Sequence, residues 1–462
     1  MMIWKLFIGV LFPSLLGFFI LWMMPFSRDL PGRIKGALSF GVGLGVITLW
    51  IFVLALFHIS YTFWSVCAVL AVPFFLGVYR NKKEQHTLNN KVQDQSCFKW
   101  DIVSLILLGG IIFYLGFIFW RTLMFPICSW DAIATVGLKG KILYFTHSLE
   151  DIPGMAHAAY PLFTPLAMNW MALALGHWDD VYIKLFLPCG MVSLVMFSYF
   201  SFKKFVSQRW ALFGVFCILG SALVSYHATI AYRDFYLMYY LFIGCMLLLL
   251  WVEERRCGYL LLSSVFYGLA TFVKVEGSLY LALAYTILAG FLFLDRTKSF
   301  LNKIKCLGVF VMPSGFICLG FHLYRAVRGI QLEEKAMLSL GHPAAERFYP
   351  TLIKVMENLF LTGNWNLVWF LFIVSLFHVR GIRSHKVVQF LLLLIILHFT
   401  LIFFLSMFTH SFIWLAGVSA ITGLSRIILH FYPMAIIFIV LVNGRQTHKE
   451  EFPKGQDHES KT

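Results

Sequence analysis

The chain has 462 residues, of which 60% are hydrophobic and 13% charged, with a mean hydropathy of +0.81. A soluble domain carries about 25% charged residues, so this composition excludes an ordinary water-soluble enzyme and makes lipid the solvent for most of the chain. The net charge of +15 does not indicate nucleic acid, because the basic residues lie in short connections between apolar runs, as membrane topology requires.

A helix needs about 20 apolar residues to cross the hydrocarbon core, and such stretches recur from Trp4 to Val442. They are continuous and rich in Leu and Phe rather than alternating, which favours helices over a β-barrel. The expected fold class is therefore an all-α polytopic transmembrane protein. Thirteen spans are expected, at 5–27, 36–57, 61–79, 101–125, 181–202, 210–226, 235–252, 259–273, 277–295, 306–324, 363–379, 388–408 and 425–443. The first 27 residues lack the charged n-region and cleavage site of a signal peptide and read as a retained span. The nine Cys show no C-x-x-C pair and no metal spacing.

Loops on one side of this scheme, with the tail, hold 24 of the 37 Lys and Arg, including Arg33, Lys35, Lys82, Lys83, Lys203, Arg255, Arg256 and Lys454. The positive-inside rule makes that side cytoplasmic, so the N-terminus is expected outside and the C-terminus inside. The two longest loops, 126–180 and 325–362, then fall outside. Linker 80–100 and tail 444–462 are polar and read as flexible. No soluble domain and no internal repeat is visible.

Three acids fall at the membrane edge on the expected outer side. Asp131 follows the fourth span in Cys128-Ser129-Trp130-Asp131, Asp234 follows Tyr232-Arg233, and Glu276 sits in Lys274-Val275-Glu276-Gly277. Ionisable groups at this depth are costly and usually face a polar cavity, although single acids there also mark helix ends. Three at matching depth, two beside a basic residue, point to a shared site. Between Ala132 and Tyr144 the apolar residues fall near helical spacing, with Lys139 and Lys141 among them. That pattern suggests a surface amphipathic helix, whose lysines either meet a lipid phosphate or snorkel to headgroups. Tyr160-Pro161 and Pro165 punctuate the loop, and His157 is a candidate ligand or proton carrier.

The segment from Trp130 to Asp180 resembles the first outer loop of the GT-C glycosyltransferases, the polytopic family of dolichyl-phosphate-mannose–protein mannosyltransferases and bacterial lipid-linked-sugar transferases. The matching features are a span over 101–125, the acid Asp131 directly after it, the Lys139/Lys141 helix, and Tyr160-Pro161. Asp234 at the start of a span, the Lys274 to Gly277 turn, and Arg426 with His430-Phe431-Tyr432-Pro433 resemble later elements of that family. The similarity covers residues 101–300 best, weakens towards 443, and leaves out residues 1–100. Where the family often has two adjacent acids in the first loop, Asp131 stands alone.

The resemblance implies a GT-C-like core over 101–443, preceded by three extra spans and a cytoplasmic linker in 1–100 and followed by a cytoplasmic tail over 444–462. It implies a sugar donor linked to polyprenyl phosphate and a lipid, glycan or protein acceptor at the outer face of a bacterial cell membrane, with inversion at the anomeric carbon. Asp131, Asp234 and Glu276 are the expected catalytic residues, with Asp131 as general base. Lys139, Lys141, His157, Tyr160, Arg233, Lys274 and Arg426 are expected to bind substrate, the cations facing the leaving phosphate. No cofactor is specified, and a divalent metal is left open. The alternatives are a transporter or flippase of a lipid-linked glycan, a glycan polymerase or ligase, and a non-catalytic scaffold.

Overall fold

A computed structural model describes residues 2–27, 30–68, 72, 101–297, 299–332, 344–378, 385–417 and 420–451. Linker 80–100, most of the expected span 61–79, Glu333, Glu334 and the tail beyond 451 lie outside the described residues. Every described element is helical: α1 (Met2–Met23), α2 (Gly32–Leu56), α3 (Ile102–Met124), a π-helix (Ala132–Gly137), α4 (Leu138–Thr146), α5 (Phe163–Leu175), α6 (Phe186–Phe202), α7 (Gln208–Gly220), α8 (Ala222–His227), α9 (Asp234–Glu254), α10 (Cys257–Val273), α11 (Glu276–Leu294), α12 (Phe300–Val327), α13 (Phe348–Phe360), α14 (Val368–His378), α15 (Lys386–Phe408), α16 (Phe412–Leu415) and α17 (Ala420–Glu451), with short 3-10 turns between them.

Among the described residues, nine helices are long and apolar enough to cross a membrane: α1, α2, α3, α6 with its preceding turn, α9, α11, α12, α15 and most of α17. The protein is thus a multi-pass membrane protein. Three expected spans are shorter helices, namely α7, α10 and α14. The expected span 210–226 is broken at Gly220-Ser221, where Ser221 Oγ accepts from the Val224 N–H and starts the new helix α8.

Polar contacts sort the helix termini into two ends. At one end Arg209 pairs with Asp101 at 2.5 Å, Lys204 and Arg256 with Glu254, and Arg255 Nη2 with Asp295 at 3.6 Å. The acids of the expected site lie at the other end. Helix α9 runs between the two and is buried from Asp234 to Val252, as an all-round apolar helix must be. Its tyrosines use their hydroxyls as ties: Tyr236 to Phe186 O at 2.6 Å, Tyr239 with Ser193 Oγ at 2.7 Å and Tyr240 to Gly41 O at 3.0 Å. A buried hydroxyl without a partner would cost stability, so these bonds help fix α2 and α6 around α9.

The N-terminal helices are built into this core. A Cβ on Gly17 would lie 1.8 Å from Ser39 O, and one on Gly43 would lie 1.8 Å from Pro13 O. Small residues allow this backbone-to-backbone approach of α1 and α2. Gly43→Leu is expected to destabilise the protein by at least about 1–3 kcal/mol, read as a lower thermal midpoint in lipid nanodiscs. Gly36→Leu on the same helix, where a Cβ meets open space, should leave the midpoint unchanged.

Candidate active site

The end of the bundle where α3 exits and α9 begins gathers six charged side chains from four parts of the chain. Helix α9 starts at Asp234, so the bundle's central helix delivers a carboxylate, 2% exposed, to this end. Lys274 Nζ lies 3.0 Å from Asp234 Oδ1 and 3.0 Å from Glu276 Oε1. The tight α10–α11 turn places Lys274 and Glu276 together, and Gly277 permits it: a Cβ there would stand 2.2 Å from Ala270 O. Burial alone would push Lys274 down, but the Asp234 and Glu276 carboxylates outweigh it and hold Lys274 above its ordinary value.

Asp234 Oδ1 also accepts from His430 Nε2 at 2.9 Å, and His430 Nδ1 lies 3.1 Å from the Tyr280 hydroxyl. The carboxylate accepts, so Nε2 carries the hydrogen and Nδ1 accepts from Tyr280. His430 and Tyr280 are fully buried, and His398 stacks on Tyr280 at 5.0 Å. Both bonds to Asp234 fall on Oδ1, and neither occupies Oδ2.

The second part of the site is more open. Asp131 Oδ2 pairs with Arg426 Nη1 at 2.6 Å, with side-chain exposures of 32% and 26%. Arg233, beside Asp234 in sequence, turns the other way. Its Nη1 donates to Thr135 Oγ1 at 3.1 Å and its Nη2 to Thr135 O at 2.6 Å. Thr135 lies in the π-helix directly after Asp131, a geometry that recurs at functional sites. Both guanidiniums stand over tyrosines, Arg233 over Tyr160 at 5.0 Å and Arg426 over Tyr232 at 5.6 Å. Among the described residues, buried Arg233 Nε and Glu276 Oε2 have no hydrogen-bond partner.

The expected residues therefore divide. Asp131, Asp234, Glu276, Arg233, Lys274 and Arg426 converge, with Tyr160 against Arg233. Lys139 takes a different place from the surface position expected of it. It is fully buried, and its Nζ donates to His157 O at 2.6 Å. His157 contributes its carbonyl there, with a left-handed φ of 53°, and its ring packs against Tyr160 at 5.5 Å. Lys141 is exposed. Lys139 thus ties the loop together while Lys141 faces outward.

Sequence reasoning did not select His430, Tyr280 or Thr135 as site residues. A signal existed for His430, since Arg426 and His430 stand four apart on one helical face. Among the described residues no group of three or more His, Cys, Asp or Glu side chains is placed to hold a metal ion. The chain matches no protein-family model, no curated protein and no solved structure.

Proposed function

We propose that this protein is a membrane glycosyltransferase that moves a sugar from a polyprenyl-phosphate carrier to a lipid, glycan or protein acceptor at the extracytoplasmic face. One observation carries the reading: three carboxylates and three cations, drawn from sequence positions 131 to 426, meet at one end of an otherwise apolar bundle. Isolated charges are too costly in such surroundings to collect without use. A lipid-borne donor reaches this site sideways through the membrane and needs no nucleotide-binding fold. In this reading an acceptor hydroxyl loses its proton to Asp131, while Arg426 and Arg233 face the phosphate that leaves. Asp234, held by Lys274 and His430, orients the acceptor. The resemblance to GT-C transferases rests on the residues themselves.

A second reading is a transporter of a lipid-linked glycan, favoured by the buried Tyr280–His430–Asp234–Lys274 chain, which resembles a proton relay. Mass spectrometry of surface glycans and lipids, with and without the protein, separates the two. A glycosyltransferase predicts loss of a single sugar from one glycoconjugate and a build-up of the charged lipid donor. Unchanged glycan structures, only less abundant at the surface, would favour transport.

The orientation is part of the proposal, since the extracytoplasmic face must hold the site. Cysteines introduced at Glu150 and Glu334 should react with an impermeant maleimide added outside, and cysteines at Lys83 and Lys454 should not. Outside labelling at Lys83 would invert the orientation and move the site to the cytoplasm.

A further inference from the structure

The carboxylate assigned as base is not free in this structure. Asp131 Oδ2 lies 2.6 Å from Arg426 Nη1, so the guanidinium holds a carboxylate oxygen that an acceptor hydroxyl would need to reach. The six site charges cancel: Asp131, Asp234 and Glu276 against Arg233, Lys274 and Arg426. An arriving phosphate adds negative charge, so it must take a cation from an existing partner. Lys274 is 9% exposed and lies between two carboxylates. Arg233 is 6% exposed and committed to both oxygens of Thr135. Arg426 stands at the open edge; among the described residues its one carboxylate ion pair is with Asp131, and its Nε makes a long 3.4 Å contact to Thr422 O. Its planar fork fits a phosphate as well as a carboxylate.

We propose that Arg426 exchanges Asp131 for the phosphate group of an anionic ligand, so that ligand arrival is the event that releases the Asp131 carboxylate. The Asp131–Arg426 pair is then a latch that keeps the base silent in the empty site. The chemistry rests on the glycosyl-transfer reading. The acceptor oxygen bonds to the anomeric carbon and its proton passes to Asp131. The bond from that carbon to the phosphate oxygen breaks, its electron pair stays on the phosphate, and Arg426 faces the added charge. When polyprenyl phosphate leaves, Asp131 returns its proton to water and pairs again with Arg426.

The latch makes a counterintuitive prediction: removing the acid should improve anion binding. The full chain is placed in phosphatidylcholine nanodiscs, and binding is read by native mass spectrometry for a long-chain polyprenyl monophosphate, the matching polyprenol, and inorganic phosphate. Asp131→Asn is expected to bind polyprenyl phosphate about tenfold more tightly than wild type, the size of one charge-assisted contact. Asp131→Ala should do the same, which covers the case of one variant that folds poorly. Arg426→Gln should weaken binding, and Asp131→Asn/Arg426→Gln should match Arg426→Gln alone. Polyprenol should not distinguish the variants. Tightening seen only with inorganic phosphate would keep the exchange and remove the lipid-borne donor. Equal or weaker binding of both phosphates by Asp131→Asn and Asp131→Ala would overturn the exchange, whatever reaction the protein performs.

Discussion

Asp131→Asn is expected to insert and fold normally and to lose about 10²–10⁴-fold of its transfer rate, the usual contribution of a general base. The substitution keeps the shape and removes the proton acceptor. Folding should survive because the Asp131–Arg426 pair is partly exposed, and pairs of that kind contribute little to stability. Asp151→Asn is the control within the same loop: Asp151 is exposed and lies outside the charged cluster, so most activity should remain. Rates are compared on purified protein at equal folded amount. Full activity in Asp131→Asn together with loss in Asp151→Asn would move the base elsewhere in the loop.

Lys274→Met should act on stability instead. It leaves Asp234 and Glu276, both at 3.0 Å from the Lys274 ammonium, without their shared cation. Breaking a buried pair from one side costs about 3–5 kcal/mol, so the thermal midpoint in nanodiscs should fall sharply. Asp234→Asn should cost less, because Lys274 keeps Glu276. Adding Asp234→Asn to Lys274→Met should recover part of the loss, since one of the two stranded carboxylates is then gone. The pH dependence follows from the sign of the shift. Lys274 is held above its ordinary value by the two carboxylates, against burial. Its contribution is therefore complete below the ordinary lysine pKa and is lost only as pH rises through the raised folded value. The Lys274→Met deficit should be constant through the neutral range. A deficit that disappears between mildly acidic and neutral pH would mean that another group controls the cluster.

Much of the architecture was legible because lipid imposes a simple rule: an apolar run must become a helix. That rule finds α9, whose residues Phe235 to Val252 are apolar or aromatic on every face. It fails at Ser221, where a break one residue wide vanishes inside an apolar stretch and one expected span becomes α7 and α8. The acids of the site stood out for the same reason that the spans did. Asp131, Asp234 and Glu276 interrupt a charge-poor sequence, and the structure brings all three to one end.

The loop was harder to read. At 3.6 residues per turn the spacing from Ala132 to Tyr144 puts Lys139 and Lys141 on a membrane surface. The first six of those residues are a π-helix, whose wider turn shifts the phase of everything after it. Lys139 then points inward to His157 O, while Lys141 stays outside. His430 was hidden differently. The sequence places it in the Arg426 to Pro433 element without a partner, and only the fold shows that it stands 2.9 Å from Asp234.

Under the proposed function, the charged cluster transfers a sugar from a lipid phosphate. This is tested most directly by incubating the purified protein, in liposomes, with a radiolabelled polyprenyl-phosphate sugar and a membrane extract as acceptor source. Label is expected on the acceptor, with free polyprenyl phosphate in equal amount, and neither product with Asp131→Asn. Intact donor that crosses the bilayer with no sugar released would contradict it and make the protein a transporter.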